Sequence, residues 1–276
     1  MGTLGRTWQL FKQSFAVLAA DKEILLFPIL STSAAILAFA GFFVPLHTTG
    51  MLELIARGQG AWTDYIPLFS WYYVNYFIVI FFNSALVGCA NIRLSGGDPT
   101  LGDGFRIAAA RVHRIAAWTL LAATVGLLLH ALESRSRRAG KIAASILGLG
   151  WTLITYLVIP VLIFEDLGVF ASVRRSAELF RGRWGEQIVG QSGFGLLSLV
   201  LALPGLALGF LLWSYDRAAA IILVLIYILI LAAVVSATKG IFTVALYRYA
   251  AGGAAPFGFS EELMRSTFQP RVERRW

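Results

Sequence analysis

Charge is the scarcest property of this sequence. Only 14% of its 276 residues are Asp, Glu, Lys or Arg, where a soluble domain carries roughly a quarter. Cysteine is nearly absent. Cys89 stands alone inside an apolar run, which excludes an intrachain disulfide and a cysteine-built metal site, so it reads as a small packing residue. His47, His113 and His130 form no pair at a spacing of three or four, so no metal site is built on a single helix. No acidic or basic residue falls in the middle of any long apolar run. Proton- and ion-coupled transporters keep such groups there, and their absence counts against coupled transport. Pro204, between glycines, is the one place where a broken helix could bind substrate through its backbone, and it reads as a packing kink.

Catalytic patterns are missing as well. In GQSGFG around Ser192 the second glycine is misplaced for a nucleophile elbow, and no strand precedes it. Gly96-Gly97-Asp98 with Asp103 offers too few oxygens for a calcium loop. No catalytic residue, metal ligand or cofactor is expected, and the chain reads as non-enzymatic.

What the sequence has in abundance is apolar length. Apolar residues make up 58% of it, and the mean hydropathy is +0.74. Runs long enough to cross roughly 30 Å of hydrocarbon recur along the chain. The expectation is an all-α, polytopic transmembrane helix bundle. Its six spans cover about 24–46, 66–90, 116–132, 142–164, 187–213 and a last one starting at Ala218 and passing Lys239. Aromatic residues Trp62, Tyr65, Trp71, Tyr72 and Tyr73 gather at the start of the second span as an interfacial belt. Asn83, in the middle of that span, reads as an interhelical hydrogen-bonding residue. Asn83 and Ser192 are the candidate intramembrane polar contacts.

Between the spans lie segments of helical period. Leu4, Trp8, Phe11, Phe15 and Leu18 repeat at spacings of four and three, as do Phe105, Ala108, Val112 and Ile115. Phe170, Val173, Ala177, Phe180 and Trp184 do the same, with Arg174, Arg175, Glu178 and Arg181 on the other face. Such helices belong in the membrane–water interface. One precedes spans one, three and five, so the chain reads as a single transmembrane domain, 1–251, made of a threefold helix-plus-hairpin repeat (1–95, 96–166, 167–251). A cytoplasmic tail, 252–276, follows. Asp98 lies in a turn, Thr100 and Asp103 form a capping box, and Glu165 and Asp166 cap the helix after them. The two carboxylates are also candidates to pair with arginines from a neighbouring interfacial helix.

The net charge is +8, with arginine far outnumbering lysine. On such a chain a basic excess reflects cytoplasmic loops and anionic lipid rather than nucleic acid. Counting basic residues puts both termini on the inner side of the cytoplasmic membrane, against the contrary vote of Arg135, Arg137, Arg138 and Lys141. No cleavable signal is expected at the start.

Four stretches carry a resemblance: DKEILLFP (Asp21 to Pro28), GGDPT with Asp103-Gly104, VIPVLIFEDLG followed by RRSAELFRGRWGEQ, and ALYRYAAGG. In this order, over nearly the whole chain, they resemble an uncharacterised prokaryotic family of six-span membrane proteins. The central pattern is more distantly similar to membrane domains beside glycerophosphodiester phosphodiesterases. No catalytic barrel is attached here, so that activity is not carried over. The resemblance implies an architecture and no substrate, cofactor or catalytic residue. The functional expectation is therefore a lipid-interacting or scaffold protein. Arg111, Arg114, Arg174, Arg175, Arg181 and Arg183 are its candidate contacts to anionic headgroups or a partner, with self-association or another membrane protein as the alternatives. A permease or channel for a small or amphiphilic molecule is the rival class.

Overall fold

The computed structural model describes residues 3–57, 63, 65–135, 138–183, 193–252 and 254–262. They are mostly helical, with no strand among them. Inside hydrocarbon a chain must satisfy its backbone donors and acceptors within itself, and the apolar runs do so as helices. In chain order these are α1 (Thr3–Ala20), a 3-10 turn (Lys22–Leu25), α2 (Leu26–Thr48), α3 (Met51–Ala56) and α4 (Tyr65–Leu94). There follow α5 (Leu101–Ala110), α6 (Val112–Arg135), α7 (Arg138–Ile154), α8 (Val158–Phe164), α9 (Val169–Arg183), α10 (Gly193–Leu212) and α11 (Arg217–Gly252).

Five stretches are long and apolar enough to cross a membrane: Lys22–Thr48, Tyr65–Leu94, Val112–Ser134, Gly140–Phe164 and Arg217–Gly252. This is a membrane protein. The expected count was six. In α10 the described apolar stretch, Leu197–Leu212, is shorter than a span, and the expected start at Gln187 lies outside the described residues. The expected order of elements is present, with α1, α5 and α9 each preceding a pair of apolar segments.

Two compact units divide the chain. The first comprises Met1–Pro28, Leu86–Leu101 and Glu178–Trp276. Within it α10 and α11 form a hairpin against which α1 packs. Their approach is close because α10 carries glycine where α11 comes nearest. A Cβ on Gly205 would fall 2.1 Å from the Tyr227 ring, and one on Gly209 would fall 2.2 Å from Val224. The Tyr227 hydroxyl donates to the Leu201 carbonyl at 2.7 Å, beside Pro204. Asp216 opens α11 by accepting the N–H groups of Ala218 and Ala219. At 36 residues α11 is about 54 Å long, well beyond the thickness of hydrocarbon. Its C-terminal half is buried, whereas Ile221, Ile222, Leu225, Ile226, Leu229 and Ile230 are exposed, as lipid-facing residues are.

The face that α1 buries against protein shares only part of the apolar stripe. Leu10, Phe11, Ser14, Val17 and Leu18 are buried, while Trp8 and Phe15 are exposed. Burial follows the helices α1 packs on rather than the aromatic spacing. Part of the expected tail is also docked. The Phe257 N–H donates to Leu94, the Ser260 N–H donates to Gln13, and Phe259 is buried.

Where α4 ends, Gly96 adopts φ +84°, and the N–H groups of Gly97 and Gly96 return to the carbonyls of Ile92 and Arg93. This paired closure is a Schellman cap, and its left-handed residue is the reason glycine stands at that position.

The second unit comprises Ile29–Ala85 and Gly102–Ala177. In it α6 packs against α7, and Trp118 stacks on Trp151 at 6.0 Å. Phe105 of α5 meets Phe81 and Phe82 of α4.

The α10–α11 approach predicts opposite signs for two glycine substitutions, read as thermal midpoints in detergent. Gly205→Ala lowers stability by about 1–3 kcal/mol through overpacking against Tyr227. Gly148→Ala, in α7 with nothing within 4 Å of the new Cβ, raises it by roughly 0.5–1 kcal/mol.

Candidate functional site

The site begins with a break in the fourth span. Pro160 has no N–H, and its ring crowds the carbonyl four residues earlier, which favours a kink or break just before it. The chain turns at residues 155–157, between α7 and α8. The Leu157 N–H, buried and displaced from the helical ladder, donates instead to Ser176 Oγ of α9 at 3.1 Å.

That bond sets the rotation of α9. Its buried line is Ser172, Ser176 and Leu179, at spacings of four and three. Ser172 returns its hydroxyl to the Gly168 carbonyl at 3.0 Å. The aromatic stripe of Phe170, Val173, Ala177 and Phe180 lies roughly a third of a turn away. Phe170 is 78% exposed, and Val173, Ala177 and Phe180 are half-buried. Arg174 and Arg181 are exposed on a third sector. The two-faced helix expected from spacing is thus three-sided, and a serine face is the one that packs. The Arg183 side chain, Trp184 and Ser192 lie outside the described residues.

Glu165 and Asp166 follow α8 directly. Glu165 ends that helix in an extended conformation, and both its oxygens accept from Arg175 Nε, at 3.2 and 3.3 Å. Asp166 Oδ1 accepts from two guanidinium groups, Arg111 Nη1 at 2.8 Å and Arg114 Nη2 at 2.6 Å. Arg111 is the single residue between α5 and α6, and Arg114 stands on the first turn of α6. The two arginines, Arg114 foremost, hold the Asp166 carboxyl below the ordinary aspartate range. The structure therefore brings together Arg111, Arg114 and Asp166 in one contact, and Glu165 with Arg175 in another.

A further polar group lies in the first unit. Glu23 Oε2 accepts the Leu101 N–H at 2.9 Å and so caps the start of α5, taking a donor that a Thr100–Asp103 box does not use. Asp103 lies 3.8 Å from Arg106, and the Thr100 carbonyl accepts from Cys89 Sγ. Arg93 donates to the Gly97 carbonyl and lies 3.9 Å from Asp98. Burial pushes the Asp21 carboxyl above its ordinary range, against the pull of Arg93. At the end of α11, Arg248 donates to the carbonyl and side chain of Asn91 and to Ser95. The signal that could have found Glu23 is the Asp21-Lys22-Glu23 cluster itself, too polar for a plain turn between helices.

Asn83 is half-buried, and no hydrogen bond of its side chain is found among the described residues. A groove of about 320 Å³ opens on α2 and α4, lined by Ser31, Thr32, Ala35, Ile36, Phe39 and Val79 and not by Asn83. No cluster of three metal-ligating side chains occurs among the described residues.

A family of unknown function, DUF6159, matches residues 62–257, well over half of the chain. The protein belongs to that family. The match covers α4 through α11, including every residue of the Arg111–Arg114–Asp166 contact, and leaves the Asp21–Pro28 stretch outside it. No curated protein and no solved structure matches the chain. None of the comparisons links this DUF6159 member to glycerophosphodiester phosphodiesterases.

If Ser176 is what satisfies the break, Ser176→Ala leaves a buried N–H unpaired and lowers stability by about 1–3 kcal/mol. Ser172→Ala removes a bond within the helix's own turn and has the smaller effect. Thermal unfolding of both variants in detergent checks the order.

Proposed function

We propose that the protein is a non-enzymatic, lipid-interacting scaffold of the cytoplasmic membrane, with both termini inside and α9 lying in the headgroup region. The observation that carries this reading is the division of α9. The helix buries serines, exposes Phe170, and exposes Arg174 and Arg181 beside it. An exposed aromatic ring next to exposed guanidinium groups suits the boundary between acyl chains and anionic headgroups. The flanking residues support it. Candidate spans start at Val112 and end at Phe164, so Arg111, Glu165 and Asp166 are the first residues beyond them. The partner under this reading is anionic lipid, and self-association or another membrane protein would use the same basic face. The groove on α2 and α4 is open and mainly apolar, and lends the permease reading no support.

A basic residue near an anionic surface contributes about 1 kcal/mol. Replacing both Arg174 and Arg181 by Gln is expected to weaken retention of phosphatidylglycerol roughly 30-fold, read by native mass spectrometry of the purified protein. Phosphatidylcholine retention is expected to stay the same. Equal retention of phosphatidylglycerol by variant and wild type contradicts the reading.

A further inference from the structure

The contact at Asp166 is unbalanced in charge, in donors and in exposure. Two guanidinium groups converge on one carboxylate oxygen. Each guanidinium carries five donors in a planar fork, far more than one oxygen can take. Arg114 Nη1 is buried and has no partner among the described residues. The arginines are the sheltered members, with side chains 30% and 19% exposed for Arg111 and Arg114, whereas the Asp166 side chain is 78% exposed. Arg111 and Arg114 are also held by the α5–α6 junction, and Asp166 stands in the four-residue link between α8 and α9. A structural ion pair made to last would shelter both partners. Here the cations are fixed and the anion is the part that can rotate away into solvent.

A phosphate group fits what the carboxylate leaves unmet. It presents several oxygens in tetrahedral array, and arginine forks bind phosphate with paired, charge-assisted hydrogen bonds. We propose that Arg111 and Arg114 form a binding site for a phosphate anion, and that Asp166 is a built-in competitor that occupies the site until such an anion displaces it. This rests on the headgroup reading above and adds its regulation: affinity is reduced by the fraction of time the carboxylate holds the site. The phosphate can come from a lipid headgroup at the end of spans three and four, or from a soluble phosphate.

Wild type, Asp166→Asn and Asp166→Asn/Arg114→Gln, purified in neutral detergent, separate these cases. Binding of inorganic phosphate is read by thermal shift, and binding of phosphatidylglycerol by native mass spectrometry. A carboxylate that occupies the site about nine-tenths of the time predicts a roughly tenfold gain in affinity for Asp166→Asn, lost again in the double variant. A gain for both probes supports a lipid phosphate, and a gain for inorganic phosphate alone supports a soluble one. A folded Asp166→Asn with unchanged or weaker affinity for both probes overturns the internal competitor. In that event, weaker phosphatidylglycerol retention by Arg174→Gln/Arg181→Gln still upholds the headgroup reading, while unchanged retention by that variant sinks both. Should Asp166→Asn unfold, Asp166→Ser, smaller and still an acceptor, gives the same comparison.

Discussion

A backbone donor stranded inside hydrocarbon costs several kcal/mol, and the arrangement around α9 follows from avoiding one such loss. The fourth span breaks at residues 155–157, just before Pro160, and the turn leaves the Leu157 N–H outside the helical ladder. Ser176 takes that N–H, and to reach it α9 must turn its serines inward. Once that face is fixed, geometry leaves no freedom for the others. Phe170 turns outward, Arg174 and Arg181 occupy the remaining sector, and Arg175 comes back within reach of Glu165. A single hydroxyl thus decides which residues of an otherwise ambiguous helix meet the surroundings.

The same rule explains where the rest of the polarity sits. Charged groups are few, and many of those with described partners stand where helices end. Glu23 caps α5, Asp216 caps α11, Arg93 and Arg248 dress the end of α4, and Arg111 fills the gap between α5 and α6. Each end would otherwise leave unmet backbone groups. Apolar length supplies the spans, and the scarce charges punctuate them. Asp166 is different in being mostly exposed while serving no helix terminus among its described contacts, which is why it stands out as a group with another use.

Much of this was legible in the sequence because it is local. Hydrophobic runs put α2, α4 and α6 close to where they are found, and Gly96-Gly97-Asp98-Pro99 marked the turn that proved to be a Schellman cap. The long last helix followed from an apolar run passing Lys239. What was not legible depends on partners distant in sequence. The periodicity of α9 defined a helix and an aromatic stripe, but Ser172 and Ser176 read as neutral letters until the break at Pro160 supplied a reason to bury them. The stripe of α1 divides in a similar way, with Phe11 and Leu18 buried against protein and Trp8 and Phe15 exposed. Arginine counts suggested a basic face without showing that Arg111 and Arg114 share one carboxylate some 50 residues on, at separations of 55 and 52. The resemblance to a family of unknown function held for residues 62–257.

The account stands on Phe170 facing the boundary of the bilayer. A nitroxide on Phe170→Cys, in a Cys89→Ala background reconstituted into phosphatidylglycerol-containing vesicles, measures this through its collisions with oxygen and with a water-soluble nickel complex. The expected result is a mobile label with frequent oxygen and sparse nickel collisions, placing it about 5–10 Å into the headgroup–acyl boundary. A label immobilised within protein, or one as open to nickel as a label in free solution, would contradict the account.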